Sequence, residues 1–215
     1  MIGGWLRENF NLYRRYPYWN REGVIFVHVP KAAGTSINKA LYGRTLGHYT
    51  ASEIKARFPG LYSRSFVFSV VRNPWDRVLS AYRFAKVGRT ESMGMSNPGQ
   101  YRIPEFSSFE RFLFDWLVYQ DLNKVDFVFQ PQIRFVCDPD SQEQIIVDYL
   151  GRMETLDTDI RAVAGKLKRS LSVPRSNVTQ GGMSDFRSAY TSPEMIDLVG
   201  RIYFNDIDVL NYSFE

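Results

Sequence analysis

Cysteine is nearly absent from this 215-residue sequence, and the one present, Cys137, excludes an intrachain disulfide and a cysteine-rich metal centre. It follows the apolar run Ile133-Arg134-Phe135-Val136 and reads as a buried thiol. Histidine is scarce too: His28 and His48 are the only two, too few for a zinc site without carboxylate help. No metal is expected. No apolar run approaches the roughly 20 residues that span a bilayer. Arg7, Glu8, Arg14 and Arg15 interrupt any apolar signal core. The expectation is a soluble, cytoplasmic chain with no transmembrane segment, in which the sequons at Asn177 and Asn211 carry no weight. A dominant charge sign is also missing. Basic residues number 27 against 23 acidic, a net charge of +4, too weak to indicate a nucleic-acid partner. It is compatible with anionic ligands.

What is present fits a packed globular protein: 44% hydrophobic and 15% aromatic residues are enough to build a core. The length suits one domain over residues 1–215. Residues 1–21 form an aromatic, basic N-terminal extension with Tyr13, Tyr16, Tyr18 and Trp19. Oligomeric state is left open.

Strands and helices alternate. Val24 to Val29 reads as a buried strand, and a helix capped by Thr35 or Ser36 runs to about Tyr42. Phe66 to Val71 is a second buried strand, followed by a helix from Trp75 to about Ala85. Val87 to Pro104, with Gly88, Gly94, Pro98 and Gly99, is the best candidate for a mobile surface loop. Ser107 or Ser108 starts another helix, with Glu110 in capping-box position to Ser107. Ile133 to Val136 and Ile145 to Tyr149 are further strand candidates. Asp157 to Leu171 is helical by periodicity, Val173 to Ser188 a loop, and Pro193 to Phe204 a last helix. This order predicts an α/β fold, a three-layer sandwich around a mainly parallel sheet.

The most informative segment is Val27-His28-Val29-Pro30-Lys31-Ala32-Ala33-Gly34-Thr35-Ser36. A buried strand enters a tight turn that opens a helix. Backbone N–H groups at a helix start lack intrahelical partners, and the helix dipole favours an anion there. Ala32, Ala33 and Gly34 are small enough for an oxyanion to approach the backbone. Lys31 adds charge, and Thr35 and Ser36 add hydroxyls. The turn is P-loop-like, yet it is not the common nucleotide-triphosphate loop, which places lysine directly before the hydroxyl residue.

Val71-Arg72-Asn73-Pro74-Trp75-Asp76-Arg77-Val78-Leu79-Ser80 repeats the logic. Arg72 stands at a strand end, where ligands of open α/β sheets bind, with a planar fork suited to phosphate. Ser80 lies two turns on and can donate to the same anion. The competing reading makes Arg72 an ion-pair partner of Asp76, and Arg77 is expected in an ion pair or on the helix surface. Two such elements suit a ligand with two separated anionic groups, a description many nucleotides meet.

In this order the two segments resemble the sulfotransferases that use 3′-phosphoadenosine 5′-phosphosulfate (PAPS), and closely their carbohydrate branch, the heparan sulfate 2-O-sulfotransferase-like proteins. Tyr149-Leu150-Gly151-Arg152-Met153-Glu154 and Asn211-Tyr212-Ser213-Phe214 resemble that branch as well. The resemblance implies that Lys31 contacts the bridging and leaving oxygens of the phosphosulfate. Gly34, Thr35 and Ser36 would bind the 5′-phosphate, with Ala33 a further cofactor-binding candidate, and Arg72 and Ser80 would bind the 3′-phosphate. A loop around Asn177 would close over the nucleotide. The resemblance further implies PAP as the product and a carbohydrate or other hydroxyl-bearing acceptor, and the chain is similar to a soluble bacterial-type member.

Transfer to a hydroxyl needs a proton acceptor. His48, in a polar stretch between the motifs, is the candidate base, in agreement with the family's histidine there. His28 is expected as a buried histidine supporting the turn. Glu53 and Asp76 are weaker base candidates, and Gln132 a candidate acceptor contact. Two rivals stay open: a nucleotide-dependent kinase, and a non-catalytic carbohydrate- or partner-binding protein on the same scaffold.

Overall fold

Val24–Val27 is an unbroken apolar run and Phe66–Val71 a nearly continuous one, as suits strands buried on two faces, and they become neighbours in a parallel sheet. The computed structural model describes residues 11–89, 94, 95, 97–141, 143–173 and 185–215. Its three strands, β1 (Val24–Val27), β2 (Phe66–Val71) and β3 (Tyr149–Arg152), run parallel with β2 in the centre. Val24 pairs with Phe66, and Phe68 with Tyr149. The one polar residue inside β2, Ser69, is fully buried and donates its hydroxyl to the Val27 carbonyl at 2.7 Å. Tyr42 donates to the Val24 carbonyl and accepts from the Phe26 N–H, so its phenol occupies polar groups that an edge strand leaves unpaired.

The described chain divides into two compact units, residues 1–71 with 134–177 and residues 72–133 with 178–215. The first holds the sheet and the helices Tyr16–Glu22, Gly34–Tyr42, Ala51–Arg57, Pro59–Arg64 and Leu156–Lys166. The expected N-terminal extension is in part the helix Tyr16–Glu22, which buries Trp19. The second unit packs an aromatic core around the helix Pro74–Val87, with Trp75, Tyr82, Phe106, Phe112, Phe129, Tyr190 and Tyr203 among its members.

Several expected elements change in the structure. Ile133–Val136 is a short helix, not a strand. The Asp206 carboxylate accepts from the N–H groups of Gln132 and Ile133 at 2.8 and 2.9 Å, capping a helix start from a distant position. Only Ile145, in an isolated bridge with Cys137, and Tyr149, which opens β3, keep extended pairing from the second candidate. Cys137 is buried, as expected. The segment from Val87 is not simply an open loop. It buries Met95 and Tyr101 in the second unit's core and forms a 3-10 turn at Pro98–Tyr101. Ser108, not Ser107, caps the next helix by accepting from the Arg111 N–H. That helix widens into a π-turn at Phe112–Trp116. No helix among the described residues is long and apolar enough to cross a membrane.

Candidate functional site

The first unit gathers most of the residues singled out in the sequence around the start of the helix Gly34–Tyr42. β1 ends at Val27, and His28 and Val29 continue buried into the turn. Lys31 and Ala33 both take left-handed backbone, with φ of 67° and 58°. Neither is glycine, so each costs about 1–2 kcal/mol relative to ordinary backbone. Strain of this kind persists where the surroundings over-determine it, and it concentrates at functional sites.

Thr35 and Ser36 are not the helix cap. Ala33 occupies that position, no side chain caps the start, and both hydroxyl residues lie buried inside the first turn. The left-handed Ala33 is what starts the helix earlier than hydroxyl spacing suggested. Gly34, read in the sequence as small enough for close approach to the backbone, is the first residue of the helix. Its missing side chain has another purpose. A Cβ there would sit 1.8 Å from Cδ2 and 2.1 Å from Nε2 of His28. The imidazole therefore lies directly on the Gly34 backbone, a close approach that only glycine permits.

The two histidines form a pair, with ring centroids 3.9 Å apart. His48 Nδ1 lies 3.0 Å from the His28 carbonyl oxygen. A carbonyl can only accept, so Nδ1 carries the proton and a neutral ring has its lone pair at Nε2. Burial, with the charge of Lys31 adding to it and the His28 carbonyl opposing it, pulls the His48 pKa down to about 4. Burial also holds His28 well below the usual histidine range, aided by His48 and Lys31. Both rings are uncharged at neutral pH. His28 Nδ1 is buried with no hydrogen-bond partner among the described residues.

A scaffold invisible to motif reading holds His48 in place. Buried Asn38 donates to the Gly34 carbonyl and accepts from the Leu46 N–H, while Arg15 donates to the Leu46 carbonyl at 2.8 Å. Gly47 takes φ of 101°. Beyond His48, Thr50 and Glu53 form a reciprocal capping box on the helix Ala51–Arg57. That occupation gives Glu53, a weaker base candidate, a structural role.

In the second unit Arg72 follows β2 directly, and Asn73 caps the helix by accepting from the Trp75 N–H. Arg72 grips both oxygens of Asp76, Nε to Oδ2 and Nη2 to Oδ1, each at 2.7 Å. The ion pair foreseen as the competing reading is thus present, and it holds the guanidinium fork in one orientation. Asp76 is committed to that pair. Ser80 stands four residues beyond Asp76 on the same helix, partly buried, so the two share a helical face. Gln132 is fully buried. It accepts from the Arg72 N–H and donates to the Arg72 carbonyl, which fixes the Arg72 main chain and spends both ends of the amide. Arg77 is buried rather than on the helix surface. It donates to the carbonyls of Val128 and Gln130 and lies 4.0 Å from Asp206. Burial raises the Asp206 pKa, with Arg77 opposing. Asn177 lies outside the described residues.

Sequence reasoning thus missed Asn38 and Asp206 as positioning residues, whereas the ion pair expected as one alternative for Arg77 is present, with Asp206. The only available signal was polar residues at apolar helix positions.

Compared with known proteins, residues 15–213 match the family model described as the sulfotransferase family. No curated protein matches the chain.

Proposed function

The chain belongs to the sulfotransferase family, and from that premise we propose that it transfers a sulfuryl group from PAPS to an acceptor hydroxyl on a carbohydrate, as the branch resemblance suggests. The observation that carries the reading is the strained turn at Lys31 and Ala33. It opens an uncapped helix beside a lysine and two uncharged histidines. The P-loop-like turn with Lys31, Ala33, Gly34, Thr35 and Ser36 is assigned to the phosphosulfate. Arg72 and Ser80 are assigned to the 3′-phosphate, with Asn177 in a covering loop. A cytoplasmic, bacterial-type enzyme working as one domain is part of the same reading.

In the reaction the acceptor oxygen forms a new bond to sulfur as the bond from sulfur to the bridging phosphate oxygen breaks. PAP leaves with that electron pair. Lys31 offsets the charge building on the leaving oxygen. His48 Nε2, bearing the lone pair, takes the acceptor proton. His28 acts through others: its ring supports Gly34 and its carbonyl orients His48.

The test is calorimetry of PAP with the intact protein, paired with transfer of radiolabelled sulfate from PAPS to a panel of glycans. PAP should bind without added metal, and a glycan should become labelled. Lys31→Ala should lower turnover by about 10²–10³-fold. No PAP affinity in the intact chain would overturn the assignment.

A further inference from the structure

The second unit contains a cavity of about 470 Å³ lined by Gln100, Trp116, Gln120, Lys124, Asp126 and Gln130 among others. None of these residues belongs to either motif. The volume lies within the roughly 300–1,000 Å³ of small-ligand sites.

Its polar groups are unequally used. Gln100 donates its amide to Asp126 Oδ2, Gln120 to the Trp116 carbonyl, and Gln130 to the Val125 carbonyl. Tyr101 donates a short hydrogen bond to the same Asp126 oxygen. These bonds fix which way each planar group faces. Among the described residues, the three glutamine carbonyl oxygens and Asp126 Oδ1 accept nothing. The residues lining the cavity thus retain four acceptor oxygens, and each amide retains a second N–H. Trp116, stacked on Phe112 and partly exposed, is the aromatic residue of the lining with the largest ring system. It closes the π-turn Phe112–Trp116, and such single turns recur at functional sites. Tyr119, 78% exposed, precedes Gln120 in the chain.

Charge narrows the ligand. The Asp126 carboxylate disfavours phosphate or sulfate. Lys124, which pairs with Asp121 at 3.0 Å, disfavours a cation. What remains is a neutral ligand rich in O–H donors with an apolar face for the indole. We propose that this cavity is a binding subsite for an uncharged sugar residue, separate from the residues assigned to sulfuryl transfer. The proposal needs no turnover and stands apart from the transferase reading.

The experiment titrates the intact protein with neutral hexasaccharides of glucose and N-acetylglucosamine, and in parallel with hexagalacturonate. The readouts are tryptophan fluorescence and saturation-transfer NMR. The expected result is saturable binding of a neutral hexasaccharide, weakened about fivefold or more by Gln120→Ala and by Asp126→Asn. PAP affinity, measured on the same samples, should be unchanged in both variants. Melting curves establish that each variant is folded, and Gln120→Ala removes a part-buried side chain whose only described bond is local. Binding of hexagalacturonate alone, no binding of any neutral sugar, or undiminished binding in a folded Gln120→Ala variant would each overturn the proposal.

Discussion

Lys31 and Arg72 are both cations just beyond a buried strand, yet their surroundings hold them by different means. The Lys31 turn relies on backbone. Two non-glycine residues sit in left-handed conformation, and a histidine ring rests on a glycine. Arg72 relies on side chains. Asp76 clamps its guanidinium, and Gln132 clamps its main chain. Behind them the Arg77–Asp206 pair secures the segment that carries Gln132. A backbone cradle suits an anion that must be approached closely, since N–H groups are short and fixed. A clamped fork suits an anion read at side-chain length. The first device should fail by steric intrusion, the second by loss of a partner.

The sharpest way to break this contrast is Gly34→Ala. The added methyl would overlap the buried His28 ring, so the ring or the helix start must move. Both PAP affinity and sulfuryl transfer should be lost, by about 10³-fold or more in transfer if the cradle and the base are displaced together. A variant with native calorimetric and kinetic behaviour would show that the His28–Gly34 contact is dispensable. Next in size is His48→Ala. Transfer should drop by about 10²–10⁴-fold while PAP titration stays near native. Unchanged turnover would remove His48 from the reaction.

Arg77→Ala probes the other unit. It leaves Asp206 buried without its cation and two carbonyls without donors. Chemical denaturation should show a loss of about 3–5 kcal/mol, with Arg72-dependent PAP binding weakened as a consequence. Smallest is the effect of pH. Both histidines are held below their unfolded value near 6.5. The unfolded chain therefore binds protons first as pH falls. Stability contributed by the neutral rings is complete above about pH 6.5 and declines as pH drops toward 4. Melting temperatures across that range should fall less steeply in a His48→Gln variant.

Part of this molecule was legible before any fold was known. The two buried strands declared themselves because parallel strands covered on both faces are apolar almost throughout. The turn after β1 and the arginine after β2 followed from the residues placed there. The misread elements share one cause, a partner distant in sequence. Ile133–Val136 has strand-like composition but becomes helical because Asp206 caps it from 73 residues away. Met95 and Tyr101 sit among loop-forming residues but are drawn into an aromatic core.

The sequence by itself determined the chemistry on offer: a lysine and small residues at one strand end, an arginine at another, and only two histidines. Tertiary structure alone decided their states. The His28 carbonyl set the proton on His48, burial kept both imidazoles neutral, and the His28 ring required Gly34 to lack a side chain. Residue identity is local, whereas protonation, tautomer and strain depend on what the folded chain brings within a few ångströms.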